Sequence, residues 1–128
     1  MLKDINDNKI TTHRGHSIRG ISENQMQLML AFLFGAVRAR CADYEGLQFA
    51  ARDLLGGANY FWEGTPMEAL YKKYINEGKS SEKAIKLAGV SAGHLIKRVL
   101  IEDQHRTYIL GDAGLANGYK WIGDGPRR

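Results

Sequence analysis

The run MQLMLAFLFGAV, residues 26–37, is apolar on nearly every side of a helix. A helix without a polar face must be covered on most sides, by neighbouring elements or by a second copy of the chain. At about a dozen residues it falls short of the roughly 18 to 20 that a membrane-crossing helix needs. The run is therefore expected as a buried helix, and as a homodimer contact if a second copy supplies the cover. Ser22, with Gln25 three positions on, marks its start as a capping box, in which each side chain satisfies the other residue's backbone N–H.

Around that helix there is room for one domain of 128 residues. The single cysteine, Cys41, excludes an intramolecular disulfide and a cysteine-based zinc site, and fits a reducing compartment. Acids and amides stand near the N-terminus where a signal peptide needs an apolar core. A cytoplasmic protein without a membrane partner is the expectation.

The net charge of +4 is unevenly placed. Residues 1–78 carry nine Lys/Arg and nine Asp/Glu, whereas residues 79–128 carry nine basic residues and five acidic ones. The whole excess lies in the second part, which suggests a polyanionic partner there.

Along the chain, residues 1–20 are polar and aperiodic and are expected as a flexible arm. Tyr44, Leu47, Ala51 and Leu54 fall at helical spacing and predict a second helix ended by Gly56-Gly57. Tyr60, Phe61 and Trp62 follow, aromatics that plug a core at a chain reversal or stack on bases. Thr65, Pro66 and Glu68 predict the next helix start, with Met67, Leu70, Tyr71 and Tyr74 as its buried stripe and Gly78 as its close. Residues 21–78 are thus expected as a helical bundle and dimerisation part.

The stretch SSEKAIKLAGVSAGHLIKRVL, residues 80–100, predicts two short helices: one capped by Ser80 or Ser81 and broken at Gly89, the next capped by Ser91. Ala84, Ile85, Ala88, Leu95, Ile96, Val99 and Leu100 are its apolar positions. A short glycine-containing turn between packed helices is the geometry of a helix-turn-helix. After residue 100 the period changes to that of strands: HRTYIL and YKWIG, separated by a loop with the turn signal Asn117-Gly118, predict a hairpin.

KLAGVSAGHLIKRVL resembles the helix-turn-helix of bacterial and phage DNA-binding regulators, including the LacI-type group. The resemblance covers about twenty residues and departs from the LacI-type pattern in the placing of the small residue before the turn and of the later apolar pair. It implies a second helix entering the major groove with Ser91, Ala92, Gly93, His94, Lys97 and Arg98 toward the bases, and Lys79, Lys83 and Lys86 on phosphates. The hairpin that follows is placed like the wing of a winged-helix protein, with Arg106 and Lys120 on its strands. Against this, the wing loop carries Asp112 and no basic residue.

Other chemistries are weaker. His13-x-x-His16, with His94 or His105, has the look of a partial metal site, but Arg14 beside it repels a cation. No nucleophile elbow, P-loop or dinucleotide fingerprint occurs, so neither an enzyme nor a cofactor is expected. The expected architecture is mainly α: a helical bundle with a helix-turn-helix and a C-terminal β-hairpin, winged-helix-like, in one domain. The expected function is a homodimeric DNA-binding transcriptional regulator acting on double-stranded DNA. Alternatives are a small inhibitor protein that binds a partner protein, and an accessory factor for nucleic-acid ends or single strands.

Overall fold

A computed structural model describes residues 1–42, 46, 48–55 (with backbone alone at 52), 62–111 and 118–127. The elements in chain order are β1 (Leu2–Lys3), β2 (Lys9–Ile10), α1 (Glu23–Arg40), β3 (Gln48–Phe49), α2 (Ala51–Leu55), α3 (Glu68–Asn76), α4 (Ser81–Glu102), β4 (Arg106–Leu110) and β5 (Tyr119–Asp124). The strands form one five-stranded mixed sheet in the order β2-β1-β4-β5-β3. Among the described strands only β1 and β4 run parallel, with Leu2 opposite Tyr108. The architecture is therefore α/β, which corrects the expected helical bundle with an appended hairpin.

The hairpin does form, β4 against β5 in antiparallel register with a bulge at Thr107/Tyr108. Its outer edges are not free as a wing's would be. β1 covers β4, and β3 covers β5 through Gln48 opposite Lys120 and Phe49 opposite Tyr119. The predicted turn at Asn117 lies outside the described residues.

The first residues are docked, not a flexible arm. Leu2 is fully buried. Asp4 Oδ1 accepts from the backbone N–H groups of Asn6 and Asn8, and Asp7 takes a positive φ of 65°, so the acid- and amide-rich DINDN is a tight turn that brings β2 back on β1.

The capping box of α1 is present, with Gln25 N–H donating to Ser22 Oγ and Ser22 N–H donating to Gln25 Oε1. α1 commits Met26, Met29, Leu33 and Val37 to the chain's own core. Leu28 and Phe34 stay exposed. They stand six positions apart, so they lie about 120° apart around the helix and form no single stripe.

Where the second helix is expected, the described residues form β3 and the one-and-a-half turns of α2. Tyr44, Leu47, Gly56, Gly57, Tyr60 and Phe61 lie outside the described residues. Trp62 is buried, in line with the core-plug reading of the aromatic stretch. Regular helix α3 starts at Glu68, later than expected. Thr65 Oγ1 still accepts from Met67 N–H while donating to the Trp62 carbonyl, so it organises the turn that leads into the helix. Gly78, at φ +87°, closes α3 as expected.

The largest correction is α4. It runs unbroken from Ser81 to Glu102, with Ser80 Oγ accepting from Lys83 N–H as its cap. There is no turn at Gly89 and hence no helix-turn-helix within residues 80–100. The physical reason is phase: Ala84, Ala88, Ser91, Ala92, Leu95, Ile96, Val99 and Leu100 are buried on one continuous helical stripe. Burial along that stripe outweighs the cost of about 1 kcal/mol that each mid-helix glycine adds relative to alanine. One core cluster joins this stripe to the buried side of α1, to Leu70 of α3 and to Leu2, Phe49, Tyr108 and Tyr119 of the sheet.

Candidate anion-binding groove

With Ser91 and Ala92 facing inward, the outer face of α4 carries a different set of groups. Residues 83, 86, 90, 93, 94 and 97 recur at the three- and four-residue steps of a single helix face. That face presents Lys83, Lys86, Val90, Gly93, His94 and Lys97. Its acids, Glu82 and Glu102, sit at the two ends of the helix, and Glu102 is engaged with Arg98.

The segment after β2 folds over the middle of this face. Arg98 Nη1 donates to the Gly15 carbonyl at 2.9 Å, while Arg98 Nε pairs with Glu102 at 3.1 Å. Gly15 sits so close that an added Cβ would stand 2.9 Å from the His94 carbonyl oxygen. Between the segment and the helix lies a groove of about 480 Å³ lined by Thr12, His13, Arg14, Gly89, Val90, Gly93, His94, Lys97 and Tyr119. Among the described residues no acid lines it. Gly89 and Gly93, one turn apart, leave its floor bare: a Cβ built on either would meet no described atom within 4 Å.

His13 is the most constrained polar group in the groove. Its residue is 8% exposed, and its ring lies against that of His16 with centroids 4.0 Å apart. Nδ1 accepts the Gly15 N–H at 3.0 Å. That bond uses the Nδ1 lone pair, so the neutral ring carries its proton on Nε2. Burial first, then the His16 ring and the charges of Arg98 and Lys97, hold the His13 pKa below its ordinary value, against a contrary pull from Glu102. His13 thus stays neutral near pH 7 and offers an Nε2–H with no protein acceptor among the described residues.

The residues expected from the sequence divide accordingly. Gly93, His94 and Lys97 line the groove. Lys83 and Lys86 are exposed on the same helix face, and Lys79 is exposed just before the helix. Ser91 and Ala92 are buried and cannot meet a base edge, and Ser91 Oγ hydrogen-bonds the Tyr74 hydroxyl at 2.8 Å. Arg98 is occupied in holding the 13–16 segment. Arg106 stacks its guanidinium 3.7 Å over the Trp121 ring, and Lys120 is half-buried in β5. The sequence reading weighs His13 only as part of a partial metal site and Arg14 only as its cation-repelling neighbour, because it places both in a flexible arm. The detectable signal was the DINDN turn, which implies a docked hairpin upstream of them.

His13 and His16 come together, yet among the described residues no group of three His, Cys, Asp or Glu side chains is placed to hold a metal ion. Among the same residues no helix is long and apolar enough to cross a membrane. No protein-family model, curated protein or solved structure matches the chain.

Proposed function

We propose that the protein binds nucleic acid, duplex DNA in the first instance, along the outer face of α4. The observation that carries this reading is the alignment of exposed Lys83 and Lys86 with half-buried Lys97 on one helix face beside exposed Arg14, with the helix acids confined to its ends. From Lys83 to Lys97 the face spans about 21 Å, at 1.5 Å per residue, long enough to follow several backbone phosphates. Lysines contact phosphates as point charges and position a protein without reading sequence. Of the polar groups on the face, only His94 is left to touch a base edge. The binding is accordingly of low sequence specificity, and any regulatory effect would follow from occupancy.

A gel-shift titration with random duplex at several salt concentrations tests the reading. Four phosphate contacts, by Arg14, Lys83, Lys86 and Lys97, give a log–log salt slope of about −0.9 per contact, hence between roughly −3 and −4. Combined Lys83→Ala and Lys86→Ala should lower that slope by about two contacts. No shift with any duplex at low salt overturns the proposal.

A further inference from the structure

We propose that the groove between the 13–16 segment and the Gly89–Gly93 floor of α4 is a built seat for one phosphate ester. In it the phosphoryl oxygens accept from His13 Nε2–H, Arg14 and Lys97, and the rest of the ester lies over the bare helix backbone and Val90. The inference rests on the nucleic-acid reading only for the source of the phosphate.

Three independent features converge on this ligand. His13 is nine-tenths buried in the groove wall, and its Nε2–H is fixed as a donor by the Gly15 N–H bond at Nδ1. A donor held that way matches an oxygen acceptor and discriminates against a cation. Arg14 and Lys97 line the same groove and supply positive charge, with no described acid in the lining, and charge-assisted bonds of this kind are the stronger ones. The space, about 480 Å³, falls in the range of sites that bury a small organic molecule, more than an inorganic ion occupies.

The glycines point the same way. A mid-helix glycine costs stability, and at 89 and 93 no described side chain occupies the vacated space. The room they leave opens onto the groove, where it lets a ligand approach the helix backbone closely.

The shared chemistry is a phosphate group, and its sources are a phosphodiester of a nucleic-acid strand or the monoester of a free nucleotide. The test follows backbone amides and the histidine ring nitrogens of the full chain by NMR, adding inorganic phosphate, a nucleoside 5′-monophosphate, or a short duplex without terminal phosphates. The seat predicts that phosphate and the monophosphate perturb the Arg14, Gly89 and Gly93 amides and the His13 Nε2 resonance. His13 Nδ1 should remain an unprotonated acceptor throughout. Arg14→Ala and Lys97→Ala, both changes at accessible side chains, should each weaken the monophosphate about tenfold. His13→Gln, which restores a donor near the Nε2 position, should bind better than His13→Phe.

If the duplex perturbs the same amides, the strand is a source of the phosphate and the nucleic-acid reading gains support. If the monophosphate binds there while the duplex binds nowhere, the seat stands and the nucleic-acid reading falls. If the duplex perturbs only the Lys83 and Lys86 region and no ligand moves Arg14, Gly89 or Gly93, the seat is overturned and the broader reading survives. Monophosphate affinity unchanged in both Arg14→Ala and Lys97→Ala also overturns it.

Discussion

Arg38 on α1 and Asp103 at the end of α4 form a two-pronged ion pair, Arg38 Nη2 donating to both carboxylate oxygens at 3.0 and 2.8 Å. The Asp103 side chain is 2% exposed, and it also accepts from the Tyr108 hydroxyl and the His105 backbone N–H. The Met1 ammonium donates to the Asp103 and Arg106 carbonyls beside it. One carboxylate therefore ties α1, the α4–β4 corner and the central strand together. Asp103→Ala leaves a guanidinium and a buried hydroxyl without their acceptor and should cost about 3 kcal/mol in chemical denaturation. Asp103→Asn, which keeps one acceptor oxygen, should cost less. Equal losses in the two variants would mean that the charge matters and the hydrogen bonds do not.

The two helix glycines should separate stability from binding. Gly89→Ala and Gly93→Ala place a methyl in open space within a regular helix, so each should stabilise the fold by about 0.5–1 kcal/mol and raise Tm by a few degrees. The same methyls narrow the groove floor and should weaken phosphate-ester binding. Thermal melts and ligand titrations on the same two variants check both halves, and improved stability with unchanged affinity would remove the glycines from the site.

How much of this was legible in the sequence depends on how local the determinant is. The Ser22–Gln25 capping box, the β4–β5 hairpin and the Gly78 helix stop are set by neighbours a few residues apart, and each forms as expected. In α4 phase overrides the punctuation at Gly89 and Ser91: Ala84, Ala88, Ala92 and Leu95 keep step across the expected turn, which two separately oriented helices would not require. The parallel pairing of Leu2 with Tyr108 spans most of the chain and has no local signature. Without it, His13 and Arg14 read as an arm. The lysine face, by contrast, was half legible, since Lys83, Lys86 and Lys97 were selected on charge but assigned to two helices.

Titration should destabilise the fold on both sides of neutrality. The His13 pKa is lowered in the native state, so below its ordinary value near 6.5 the unfolded chain binds a proton that the native ring resists. Stability is full above that value and falls as the pH drops through it. Tyr108 behaves oppositely: burial, then its hydrogen bond to Asp103 and that carboxylate's charge, raise its pKa. Its contribution is present below the ordinary tyrosine value near 10 and is lost as the pH climbs above it. Tyr119 and Cys41, raised by burial, add to the alkaline side. Urea midpoints across the pH range should show both limbs, with Tyr108→Phe shrinking the alkaline one and His13→Gln the acid one.

Lys97 and Arg98 are neighbours in sequence with separate tasks, and single substitutions should tell them apart. Lys97 lines the groove without an ion pair among the described residues, so Lys97→Ala should change stability by no more than about 0.5 kcal/mol while reducing duplex affinity and lowering the salt slope by about one contact. Arg98 is 17% exposed at its side chain and spans Glu102 and the Gly15 carbonyl, so Arg98→Ala should cost about 1–2 kcal/mol through the lost charged hydrogen bond. It should also loosen the 13–16 segment, with faster amide exchange at Gly15, whose N–H holds His13 in place. Affinity then falls indirectly, in proportion to how often the segment leaves the helix. An Arg98→Ala protein that keeps its stability and its Gly15 protection yet loses binding would instead make Arg98 a direct contact.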